Sequence, residues 1–162
     1  MRVNEDKFFP ADILVLNSTE PEGGFYVETK NLDGETNLKL KSAPKDVYDS
    51  FADDSALDKL SGILKIEVPN NRIYKFDGSY DMTSMQGKSG LQASSKDISL
   101  SVSSNSPIAP LSNDNVALRG MSLRNTEHVT GIVVYTGHDT KIQQNSTGAV
   151  YKTSNIMRQT NK

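Results

Sequence analysis

Apolar residues fall along this chain in short clusters whose spacing changes more than once. "ADILVLN", from Ala11 to Asn17, is a compact apolar run bounded by Pro10 and the turn-forming "STEPEGG", and it predicts a strand. "FYVET", Phe25 to Thr29, alternates aromatic and β-branched residues with polar ones and predicts a second strand. From Pro44 the period lengthens. "PKDVYDSFADDSALDKLSGIL" sets Val47, Phe51, Leu57, Leu60, Ile63 and Leu64 at mostly helical intervals, with Pro44 and Asp46 near its start. One or two amphipathic helices packed on the sheet are expected there. The next stretch, "KIEVPNNRIYKFDG", reads as a hairpin: Ile63 to Val68, a turn at Pro69-Asn70-Asn71, then Ile73 to Phe76.

Between Met82 and Asn113 the periodic signal fades. Eight serines fall between Ser94 and Ser112, with Pro107 and Pro110, and large apolar residues are few. Such a composition buries too little surface to offset its ordering entropy, so residues 87–113 are expected to form a flexible Ser/Asn-rich insertion. "NVALRGMSLRN" and "HVTGIVVYTG" are again strand-like. The polar tail, residues 143–162, reads as a linker or a frayed helix. The expected fold is a single mainly β domain over 1–162 with a small α insertion.

Composition narrows the function. The chain has 162 residues, 23% charged and 35% hydrophobic, with a net charge of −2 and a pI near 5.7. That suits one soluble-type globular domain and argues against nucleic-acid binding, which calls for a basic face. Lys39 and Lys41 are the nearest approach to one, and two lysines are too few. Cysteine is absent, which removes disulfides, thiolate metal sites and cysteine nucleophiles together. "MRVNEDKFFPAD" carries no apolar signal-peptide core, and no window approaches the ~18 apolar residues of a membrane span. Any membrane part of the protein would lie outside this chain.

Several chemical motifs fail on inspection. "QGKSG", Gln86 to Gly90, ends like a phosphate-binding loop, but Met82 stands where the first glycine is required. His128 and His138 are too few for a zinc site, no G-x-S-x-G elbow is present, and Asp53 and Asp54 suit a solvated helix face. "NLDGETN", residues 31–37, remains. Asp-Gly is a common surface-turn pair, and a plain turn stands beside any catalytic reading of these residues. Yet Gly34 has no Cβ to keep a bulky group away, and Glu35 could orient or deprotonate a water. Thr36 offers a hydroxyl to a phosphoryl oxygen or to the loop itself. Hydrolysis of a phosphoryl group draws most of its catalysis from such positioning.

"DKFFPADILVLNS", "GGFYVETKNLDGETNLKLK", "GILKIEVPNNRIYKFDG" and "PLSNDNVALRGMSLRNTEHVTGIVVYTGHDTKI" occur in this order, and together they resemble the actuator domain of P-type ATPases of the phospholipid-flippase (type IV) branch. The resemblance covers nearly everything outside the Ser-rich segment. It implies a distorted jelly roll, or double-stranded β-helix, with a helical insertion. It also implies that Glu35 is the glutamate that positions water to hydrolyse an aspartyl phosphate, with Gly34 as the close-approach position and Asp33 and Thr36 completing the loop.

On the same resemblance, the phosphorylation and nucleotide-binding domains of the same polypeptide are partners. A phospholipid is the substrate, and an accessory membrane subunit accompanies the full-length protein. ATP and Mg2+ are used through other domains, and the fragment is expected to bind no cofactor or metal and to be inactive alone. Its place would be the cytosolic side of a membrane. His128 stands where the family often has a large aromatic residue, and the DKTG phosphorylation motif is missing. Two alternatives stay open: a flippase-like regulatory module fused to another enzyme, such as a protist guanylyl cyclase, and a non-catalytic β-rich interaction module.

Overall fold

The computed structural model describes residues 1–50, 61–81 and 108–146. Its architecture is mainly β, with antiparallel sheets and small helical pieces, as the patterning predicts. The central strand is β2 (Asp12–Ser18), every residue of which is buried. It lies between β10 (His128–Tyr135) and the short β8 (Val116–Ala117), and β1 (Arg2–Asn4) closes the far edge of β10. Because both of its faces are buried, β2 is apolar throughout its middle rather than alternating. At Gly131 the β10 ladder shifts register, and a Cβ there would stand 2.3 Å from the Leu14 carbonyl oxygen. Only glycine fits that approach.

A second sheet has the order β4-β3-β9, with β3 (Gly24–Glu28) between β4 (Leu38–Ser42) and β9 (Ser122–Arg124). A third pairs β5 (Ile63–Ile66), β6 (Gly78–Asp81) and β7 (Ile108–Leu111) in sequence order. Phe9, Ile13, Leu14, Phe25, Val27, Leu118, Leu123 and Val129 form the fully buried centre of one core. The α-helices among the described residues are a single turn α1 (Lys30–Asp33), α2 (Lys45–Ser50) and α3 (Lys141–Ser146).

β4 escaped the sequence pattern because its alternation is inverted. Leu38 and Leu40 are 43% and 64% exposed, while Lys41 points inward at 5%. Lys41 Nζ donates to the carbonyls of Asn113 (2.6 Å) and Val116 (2.9 Å), and burial pushes its pKa down to about 8. An inward lysine on an edge strand blunts pairing with other chains.

Three further expectations need correction. The hairpin over 63–76 has its first strand, but the return strand is β6 and not Ile73 to Phe76. Asn70 folds the chain into a local turn, donating to the Val68 carbonyl and accepting from the Arg72 amide, so pairing resumes only at Gly78. Ile63 and Leu64 belong to β5, not to a helix, and α2 forms at the start of the helical pattern. Residues 51–60, with Asp53 and Asp54, lie outside the described residues. The flexible insertion expected over 87–113 fails at its C-terminal end, where Ala109 and Leu111 of β7 are buried and Asn113–Asn115 forms a capped 3-10 turn. Residues 87–107 lie outside the described residues, as do 147–162 of the tail, whereas 143–146 are helical in α3.

Candidate functional site

The segment joining β3 to β4 spans an antiparallel pair, with Glu28 opposite Leu38 at the point where the chain leaves the sheet. Thr29 starts a helical turn, its carbonyl accepting from the amides of Leu32 (2.8 Å) and Asp33 (3.1 Å). Leu32 packs on the core, and the Asn31 side chain donates to the Gly120 carbonyl, so the turn is anchored from below. The turn ends at Gly34, whose φ of 78° and ψ of 0° place it in the left-handed region that favours glycine. The four residues Asp33-Gly34-Glu35-Thr36 are therefore a helix C-terminus running into a loop, rather than a bare turn between strands.

Asp33 organises this loop. Its Oδ1 accepts from the Thr29 hydroxyl (2.9 Å) and the Glu35 amide (3.0 Å), and its Oδ2 accepts from Lys39 Nζ (2.8 Å) and the Tyr74 hydroxyl (3.4 Å). Its side chain is only 10% exposed. Partial burial pushes the carboxyl up, but the bonds from Lys39, the Glu35 amide and Thr29 outweigh it and hold the pKa at about 2. A carboxylate so occupied is a structural acceptor and is not free to act as a base.

Glu35 is placed differently. Its side chain is 57% exposed at the tip of the loop, paired with Lys39 Nζ at 2.8 Å. Lys39 thus bridges both carboxylates, and their hydrogen bonds push its pKa above the ordinary lysine range. Thr36 is exposed, and its hydroxyl makes no hydrogen bond among the described residues. Local fixing of the loop comes from Thr29 and Asp33 instead. A Cβ on Gly34 would meet nothing within 4 Å, so the surface beside Glu35 is open to an approaching group.

Sequence reasoning singled out these four residues together but missed Thr29, Lys39 and Tyr74 as their supports. The spacing Thr29 to Asp33 carried a signal, because side chains four apart meet on a helical turn, whereas Glu35 and Lys39 meet across the loop that leads into β4. Tyr74 carried none, since it arrives from the loop between β5 and β6.

The remaining candidates stay apart from this site. His128 accepts from Arg2 at 2.9 Å at the start of β10, and His138 is exposed in a 3-10 turn. Among the described residues no group of three or more His, Cys, Asp or Glu could hold a metal ion. Gln86 to Gly90 lies outside them. No helix among the described residues is long and apolar enough to cross a membrane.

No family model matches the chain. Curated relatives do match it. A phospholipid-transporting ATPase of Schizosaccharomyces pombe is 40% identical over 161 residues, 99% of this chain and 11% of that protein. A probable phospholipid-transporting ATPase of Arabidopsis thaliana is 39% identical over all of this chain and 12% of its own length. A second Arabidopsis phospholipid-transporting ATPase is 40% identical over 96% of the chain and 11% of its own length. The chain therefore spans about one ninth of the curated relatives it matches.

Proposed function

This chain is homologous along its length to a segment of the phospholipid-transporting ATPases, the type IV P-type ATPases, and we propose that it is the actuator domain of such an enzyme. In the full-length protein, Asp33-Gly34-Glu35-Thr36 would enter the site where an aspartyl phosphate forms and promote its hydrolysis. The observation that carries this reading is the contrast within the loop. Asp33 is spent on holding the backbone, while Glu35 two residues on is exposed beside an uncovered glycine.

The chemistry follows from that arrangement. A water held by Glu35 attacks the phosphorus, and the carboxylate takes the proton. The bond from phosphorus to the aspartyl oxygen breaks, releasing inorganic phosphate and the free aspartate. Gly34 admits the phosphoryl group to the loop, and the Thr36 hydroxyl is available to a phosphoryl oxygen. ATP and Mg2+ would act through other domains. Dephosphorylation would be coupled to moving a phospholipid between leaflets, with this domain on the cytosolic side and an accessory membrane subunit alongside.

The exposed glutamate favours this reading over a purely regulatory fused module, in which nothing requires an accessible carboxylate on an open glycine surface. Glu35→Gln in the full-length protein tests it, through the lifetime of the phosphorylated intermediate.

A further inference from the structure

Glu35 faces an electrostatic difficulty in the role just assigned to it. A carboxylate must approach a phosphoryl group that is itself anionic, on a loop that already carries the Asp33 carboxylate. Lys39 meets this difficulty from a fixed position on β4. Its ammonium lies 2.8 Å from Glu35 Oε2 and 2.8 Å from Asp33 Oδ2, and 5.9 Å from the centre of the Tyr74 ring. The Tyr74 hydroxyl donates to the same Asp33 oxygen at 3.4 Å, so the aromatic ring and the acid together define where the ammonium sits. With Lys39 in place the three charged side chains sum to −1, and without it to −2. The lysine side chain keeps 33% exposure, so the cation is open to the solvent side that Glu35 faces.

We propose that Lys39 is a positioning residue for Glu35, holding its carboxylate over the loop and offsetting the repulsion between that carboxylate and an incoming aspartyl phosphate. The inference rests on the reading of Glu35 given above. Asp33 and Tyr74 serve as the seat of the lysine. The Glu35 backbone is held by Asp33 and its side chain by Lys39, so both ends of the residue are fixed from one ammonium–carboxylate pair. Such pre-arranged charge acts where negative charge accumulates in the transition state.

The test uses the full-length protein and the decay of its radiolabelled phosphoenzyme after an unlabelled chase. Lys39→Gln removes the charge but can still donate to Asp33, and is expected to slow decay about 10- to 100-fold, the scale of a mispositioned catalytic group. Lys39→Arg keeps the charge on a bulkier, planar group, and its phosphoenzyme is expected to decay faster than that of Lys39→Gln. Phosphoenzyme should still form from ATP in each variant, which reports that the protein is folded. Lys39→Met serves as a second neutral variant should Lys39→Gln not accumulate.

The discriminating arm is the double variant. Because Lys39 acts through Glu35, adding Lys39→Gln to Glu35→Gln should slow decay by less than about twofold further, whereas a merely structural lysine would give its full effect in both backgrounds. Wild-type decay in Lys39→Gln, or full additivity with Glu35→Gln, overturns the role of Lys39 and leaves that of Glu35 standing. Wild-type decay in Glu35→Gln overturns both.

Discussion

The Glu35 amide donates to the Asp33 carboxylate at 3.0 Å, so the residue that would do the chemistry is oriented by the acid two positions before it. This is an Asx turn laid over a left-handed glycine, and it divides the labour of two similar side chains. The low pKa of Asp33 follows from the same bonds. Its folded value, about 2, lies below the ordinary 3.8, so its contribution to stability is complete above pH 3.8 and is lost as pH falls through 2. A carbon-detected NMR titration of the Asp33 carboxyl should give a midpoint near 2, with the Glu35 amide shift moving alongside it. A midpoint near the ordinary value would mean that the loop is not held by Asp33.

Gly34→Ala isolates the conformational part of the loop. The position has φ 78° and open space where a methyl group would be added, so the cost is the left-handed backbone alone, about 1 kcal/mol. Gly131→Ala is the contrasting case, because its Cβ would collide with the Leu14 backbone. Urea denaturation should show a small loss for Gly34→Ala and a loss several times larger for Gly131→Ala. Equal losses would contradict the account of either site.

Far from the loop, Lys141 is fully buried at the start of α3 and pairs with Glu67 at 2.7 Å, with Asn70 accepting a further bond at 3.0 Å. Its ammonium also lies 5.8 Å from the centre of the Phe76 ring. Glu67→Ala strands that charge and should cost about 3–5 kcal/mol. Lys141→Met should cost less, since its stem still packs and Glu67 keeps Arg72 at 3.0 Å. The double variant should be less damaging than the sum of the two. A reversed order in thermal or urea unfolding would show that the lysine is not the buried partner in need.

How far the sequence disclosed this structure depended on whether its side chains obeyed their local period. β2 was legible because burial on both faces leaves an unbroken apolar run, and β10 because β-branched and aromatic residues dominate it. β4 was hidden by its outward leucines and inward lysine, a pattern that only the carbonyls of Asn113 and Val116 make sense of. β7 was masked by the serines and prolines around it, although its Ala109 and Leu111 face the core. At the candidate site the loop residues stood out, and Lys39 was visible only as one of two lysines. Tyr74 reaches Asp33 across 41 positions of sequence, a contact no local pattern encodes.

The central claim, that Glu35 assists hydrolysis of an aspartyl phosphate, is tested most directly by Glu35→Gln in the full-length protein. The substitution keeps size and hydrogen-bonding reach but removes the basic carboxylate. Since the side chain is 57% exposed, the fold should tolerate it and phosphorylation from ATP should survive. After an unlabelled chase, radiolabelled phosphoenzyme should decay about 10²- to 10⁴-fold more slowly than in wild type, the usual contribution of a positioned general base. Decay at the wild-type rate would contradict the account and reduce the loop to a well-made turn.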